Sequence, residues 1–116
     1  MKPLLRITVS GIHTEQLGAK NQPWDLRVRE SVQEALRGQQ PDAHGSYALD
    51  VRWCVGPAHY RRDLDNFRLK PVLDSLTAEG FWPDDDVQHV RRIVSEVELV
   101  ELPEEERLEV TVYGAD

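Results

Sequence analysis

At 116 residues, 40% hydrophobic and 30% charged, the chain has the make-up of one ordinary globular domain, 1–116, with a single modest core. No apolar run approaches the ~18 residues of a membrane span, and the opening Met1-Lys2-Pro3-Leu4-Leu5-Arg6 is broken by charge before a signal-peptide core can form. The net charge of -7 excludes a protein that coats nucleic acid through bulk positive charge; the lone Cys54 excludes an intrachain disulfide, so a reducing cytoplasm is the expected setting.

Leu5, Ile7 and Val9 alternate with Arg6, Thr8 and Ser10, the period-2 pattern of a half-buried strand over 4–10. Pro23 then opens a segment in which Trp24, Val28, Val32, Ala35 and Leu36 recur every three or four residues up to Gly38, which predicts an amphipathic helix. Tyr47, Leu49, Val51, Trp53 and Val55 form the clearest alternation in the chain, closed by Gly56-Pro57. A second helical pattern, Val72, Leu73 and Leu76, runs from about Pro71 to Gly80. Residues 87–100 are rich in β-branched side chains, and Leu108, Val110 and Val112 alternate beyond a turn at Pro103, so two strands joined as a hairpin are expected. The run Glu104-Glu105-Glu106 reads as a solvated turn. The order β-α-β-α-β-β predicts an α+β fold, a mixed sheet of about four strands packed against two helices.

The chemistry-bearing residues lie in Arg61-Arg62-Asp63-Leu64-Asp65-Asn66 and in Asp84-Asp85-Asp86. Residues two apart share a side only on extended backbone, so Asp63 and Asp65 converge if the chain is extended just before the second helix. A third acid from 84–86, returned by that helix and its turn, makes an all-oxygen set suited to Mg²⁺ or Mn²⁺. On these residues alone the plainer reading is the favoured one: Asp65 or Asn66 as a helix cap, and 84–86 as an ordinary turn. An EF-hand is excluded because Phe67 stands where a ligand is needed. Zinc is excluded by the scattered His13, His44, Cys54, His59 and His89, and Cys54 in mid-strand reads as a small buried residue.

The stretch RRDLDNFRLKPVLDSLTAEGFWPDDDV, Arg61 to Val87, resembles the signature region of the RusA family of Holliday junction resolvases: a D-L-D-N element, a basic residue, a D-[AS]-L helix and a W-x-D-D turn, in that order. The resemblance covers about a quarter of the chain directly, and its strand order and length also agree. It implies a homodimeric, Mg²⁺-dependent endonuclease that cuts four-way DNA junctions. It implies Asp63, Asp65 and Asp85 as metal-binding catalytic acids, Lys70 as the catalytic lysine with Arg68 as runner-up, and Asn66 and Asp84 as supporting neighbours. Asp86 is expected to be a surface residue. The family places its lysine four residues after the second aspartate, whereas Lys70 is five after Asp65 and Leu69 holds the usual place. On a regular helix one added residue turns a side chain by about 100°; irregular backbone ahead of Pro71 is expected to absorb it. Arg61, Arg62, Arg68, Arg91 and Arg92 are the expected phosphate contacts. Trp82 could pack at the site or at the dimer interface, but the core is the usual place for an aromatic after a helix-ending glycine. Two alternatives are a non-catalytic protein of the same fold, binding DNA or a protein partner, and a nuclease for other branched DNA.

Overall fold

The computed structural model describes residues 3–12, 22–37, 45–61 and 67–115. The elements are β1 (Leu5–Ser10), α1 (Gln22–Leu36), β2 (Tyr47–Val55), a 3-10 turn at Pro57–His59, α2 (Lys70–Ala78), β3 (Val90–Leu99), a second 3-10 turn at Pro103–Glu105, and β4 (Arg107–Gly114). They build a four-stranded mixed sheet in the order β1-β4-β2-β3, with both helices packed over one face, as the α+β expectation requires.

The expected hairpin of the last two strands is corrected. β3 pairs in parallel with β2, while β4 crosses to the middle and pairs antiparallel with both β1 and β2. The core decides this. Leu108, Val110 and Val112 of β4 are fully buried, and they complete the apolar layer of Leu5, Ile7 and Val9 on β1 and Tyr47, Leu49, Val51, Trp53 and Val55 on β2. Fully burying such a side chain contributes about 1.5–3 kcal/mol, whereas the corresponding row of β3, Ile93, Ser95, Val97 and Leu99, is broken by a serine and stays exposed at the sheet edge. A parallel neighbour also needs a crossover, which α2 supplies between β2 and β3.

Trp24, Val28 and Val32 lie on one stripe of α1 and are buried against β1 and α2. α2 stops where the sequence says it should. The Gly80 N–H donates to the Thr77 carbonyl (3.1 Å) and the Phe81 N–H to the Leu76 carbonyl (2.9 Å), with Gly80 at φ 78°. That is a Schellman turn, with Phe81 and Leu76 both buried in the same core cluster. Phe81 and Trp82 then cluster with Tyr47 (ring centroids 5.3 and 5.5 Å away), and the Trp82 indole donates to the Thr77 hydroxyl, so Trp82 is core. The face of the sheet away from the helices is polar. Arg52 lies at its middle, 3.2 Å from Glu96, 3.8 Å from Glu98 and 3.9 Å from Glu109. Among the described residues no helix is long and apolar enough to cross a membrane.

Candidate functional site

Arg62, Asp63, Asp65 and Asn66 lie outside the described residues. The segments on either side of them are fastened to the core, and those fastenings are well defined.

On the upstream side, Gly56 ends β2 and its N–H donates to the Glu106 carboxylate at 2.8 Å. The His59 Nδ1 meets the same carboxylate oxygen at 2.8 Å, and the Tyr60 hydroxyl donates to the Val100 carbonyl at 2.6 Å. Glu106 therefore corrects the solvated-turn reading of the glutamate run: Glu104 and Glu105 are exposed, but the Glu106 side chain keeps only 13% of its exposure. The signal was present in the sequence. Glu106 has the same parity as Leu108, Val110 and Val112, so it points inward as the chain enters β4. A Cβ at Gly56 would lie 3.1 Å from the Glu106 side chain, so any larger residue there would push the carboxylate by a few tenths of an ångström.

On the downstream side, Phe67 is buried and stacks on Trp53 of β2 at 5.1 Å. Arg68 follows, its carbonyl accepting from the Trp24 indole and its guanidinium paired with Asp25 of α1 at 3.2 Å. The side chain offered both as a phosphate contact and as runner-up for the catalytic lysine thus joins the pre-helix segment to α1. No sequence pattern linked Arg68 to Asp25, since 43 residues separate them.

Residues 68–69 are not helical, and α2 begins at Lys70 with Pro71 in its first turn, where a missing N–H costs no helical bond. The described residues just ahead of Lys70, 67–69, are therefore outside the helix. Lys70 is exposed, 3.6 Å from Asp74 one turn on. The acids after Trp82 occupy the bend leading into β3. Asp84 accepts the Asp85 N–H (2.8 Å). Asp85 is half-buried, and its carboxylate has no partner among the described residues. Asp86 is exposed, as expected, and also organises the bend. Its carboxylate accepts from the Gln88 and His89 N–H groups and pairs with the His89 Nδ1 at 2.7 Å; the His89 contact foremost holds it below the usual carboxylate range.

The candidates fall at two ends of the molecule. Arg61 and Lys70 lie beyond the end of β2 and at the start of α2. Asp84, Asp85, Asp86, Arg91 and Arg92 lie past the end of α2, around the start of β3 beside Tyr47 and Ala48. Nine residues of α2 (Lys70–Ala78) account for about 12 Å of that separation, so Lys70 and Asp85 of one chain are held apart. Arg61, Arg91 and Arg92 are exposed, with Arg91 also donating to the Gln88 carbonyl. Among the described residues no three histidine, cysteine, aspartate or glutamate side chains form a metal-binding group. A hollow of about 390 Å³ on the polar sheet face, lined by Arg6, Asp50, Arg52, Glu96, Glu109 and Tyr113 among others, involves none of the candidate residues.

Comparison with known proteins adds a relative. The crossover junction endodeoxyribonuclease RusA of Escherichia coli O139:H28 is 34% identical over 67 residues, 57% of this chain. The chain spans about half the length (55%) of that relative. No family model matches. The similarity suggests the RusA family, in agreement with the motif between Arg61 and Val87.

Proposed function

We propose that the chain is a Mg²⁺-dependent, structure-specific endodeoxyribonuclease that resolves four-way DNA junctions by paired phosphodiester hydrolysis. The observation that carries this is the D-L-D-N to W-x-D-D motif in a chain 34% identical, over 67 residues, to a crossover junction endonuclease. Asp63, Asp65 and Asp85 would hold the metal. The donor set suits a hard cation: three carboxylates, of which Asp85 is half-buried and has no protein partner among the described residues. Bound Mg²⁺ supplies Lewis-acid polarisation of the phosphate. Lys70 offsets negative charge at the reacting phosphate, Asn66 and Asp84 orient the acids, and Arg61, Arg62, Arg91 and Arg92 seat the DNA backbone without reading bases.

The acting species in this proposal is a homodimer. A junction with two-fold symmetry needs two matched nicks, which an isologous dimer supplies. A second copy is also a second source of the Asp85 end that one chain holds away from its own Lys70.

The test is cleavage of a labelled four-way junction by the purified protein with Mg²⁺, with Mn²⁺ and with chelator, alongside Asp65→Asn. Symmetric nicks that need metal and vanish in the variant are expected, with junction binding retained; full activity in Asp65→Asn overturns the assignment. A second reading, a RusA-like protein that binds without cutting, draws on the pairing of Lys70 with Asp74. It predicts junction binding with intact DNA in every lane.

A further inference from the structure

β3 is an edge strand of ten residues, and every side chain from Arg91 to Leu99 is exposed. Its pairing with β2 fixes which way each residue faces. Ile93, Ser95, Val97 and Leu99 lie beside Leu49, Val51, Trp53 and Val55 on the helix side, while Val94, Glu96 and Glu98 lie beside Asp50, Arg52 and Cys54 on the polar side. The helix-side residues of β1, β2 and β4 are buried, yet Ile93, Val97 and Leu99 of β3 remain 43%, 43% and 63% exposed. Proteins usually blunt a long edge with proline, with charge or by keeping it short; β3 has no proline, and its Arg92, Glu96 and Glu98 lie on the polar side, which leaves Ile93, Val97 and Leu99 open on the other.

The charge order along this edge identifies its occupant. Arginines 91 and 92 occupy the first half and glutamates 96 and 98 the second, so the strand is complementary to itself when reversed. Residues opposite one another in an antiparallel ladder share a face, so faces match only where odd-numbered residues meet odd. With Ser95 opposite Ser95, Arg92 faces Glu98, Ile93 faces Val97 and Val94 faces Glu96, each pair occurring twice. The face-matched registers one step either side each keep only half of this: about Val94, Arg92 still meets an acid, Glu96, but Ile93 faces Ser95, and about Glu96, Ile93 still meets an apolar residue, Leu99, but Glu98 faces Val94.

We propose that the β3 edge binds the β3 edge of a second copy, antiparallel about Ser95, joining two four-stranded sheets into one. This deepens the dimer part of the proposed function, and it gives Arg92 to the seam, leaving Arg61, Arg62 and Arg91 to seat the DNA backbone. The antiparallel ladder also sets the Asp84–Asp86 bend of one copy at the same end as the partner's Leu99, next to the partner's Val100, which holds the partner's Tyr60.

The experiment needs no DNA. Sedimentation gives the dimer dissociation constant for the wild type, Arg92→Glu, Glu98→Arg and the double charge swap, with circular dichroism confirming that each is folded. Each single change is expected to weaken the dimer about tenfold by setting two like-charge pairs face to face, and the double swap to restore it. In parallel, Ser95→Cys should form a dimer disulfide on mild oxidation, its Cα atoms about 5 Å apart across the ladder, inside the range a disulfide spans. Glu98→Cys, offset about 20 Å from its own copy, should not. A wild-type dimer that ignores the charge changes and crosslinks no better through Ser95→Cys overturns this interface but leaves the dimeric nuclease standing. A monomer at every concentration overturns the interface and the proposed dimer together, and junction cleavage is then read on its own.

Discussion

Glu106 is the most consequential side chain that touches none of the proposed chemistry, and Glu106→Ala is the sharpest test of how the chain from Gly56 to His59 is held. The substitution leaves the buried Gly56 N–H without an acceptor and removes the partner of His59. A hydrogen bond to a charged acceptor is worth about 1.5–3 kcal/mol, and a stranded buried donor costs about 1–3 kcal/mol. These overlap, and His59 can turn partly to water, so the expected loss is about 2–4 kcal/mol. For a domain of this size that corresponds to a fall in Tm of roughly 8–16 °C. Glu106→Gln keeps an acceptor for Gly56 and is expected to lose about 1 kcal/mol. Glu104→Ala, two residues away and exposed, should stay within about 0.5 kcal/mol of wild type. Urea unfolding at pH 7, read as the midpoint at constant m, orders the three. If Glu106→Ala melts with Glu104→Ala, the carboxylate does not hold the end of β2 and the upstream fastening is wrong.

Three further outcomes follow from the same geometry. Phe67→Ala removes the ring stacked on Trp53 and is expected to cost about 3–5 kcal/mol in urea unfolding; a loss below 1 kcal/mol would mean that Phe67 is not anchored there. Asp86 titrates below the ordinary carboxylate range, chiefly through its bond with His89. The stability it contributes is therefore complete above about pH 4 and is lost as pH falls through its lowered pKa. NMR titration of its carboxyl should show this, Asp86→Asn should flatten that part of the acid limb, and titration at the ordinary value would contradict it. Burial raises the Cys54 thiol pKa, so iodoacetamide at pH 8 should label it only after unfolding; rapid labelling of the native chain would count against the packing of β2.

The sequence by itself determined whatever depends on neighbours a few residues apart. Alternation over Leu5–Val9, Tyr47–Val55 and Leu108–Val112 specified three strands and which side of each is apolar, because side chains on a strand alternate strictly. The spacing of Trp24, Val28 and Val32 specified α1, and Gly80 marked where α2 stops, because only a left-handed residue closes that turn without strain. The acids and the motif they compose were likewise legible from residue type and order.

Tertiary structure alone decided how those pieces are ordered and what holds them. β4 displaced β3 from the expected hairpin because Leu108, Val110 and Val112 complete a buried layer, whereas β3 carries charge on its open side. Arg68 went to Asp25 and Glu106 to Gly56 and His59 across 43, 50 and 47 residues of sequence, because packing α1 and β4 against the ends of β2 and α2 brought those groups within bonding distance of one another. The same packing put Lys70 and Asp85 at opposite ends of α2. No local pattern records that separation, since it is set by how far a helix must run to bring its chain back to the start of the sheet.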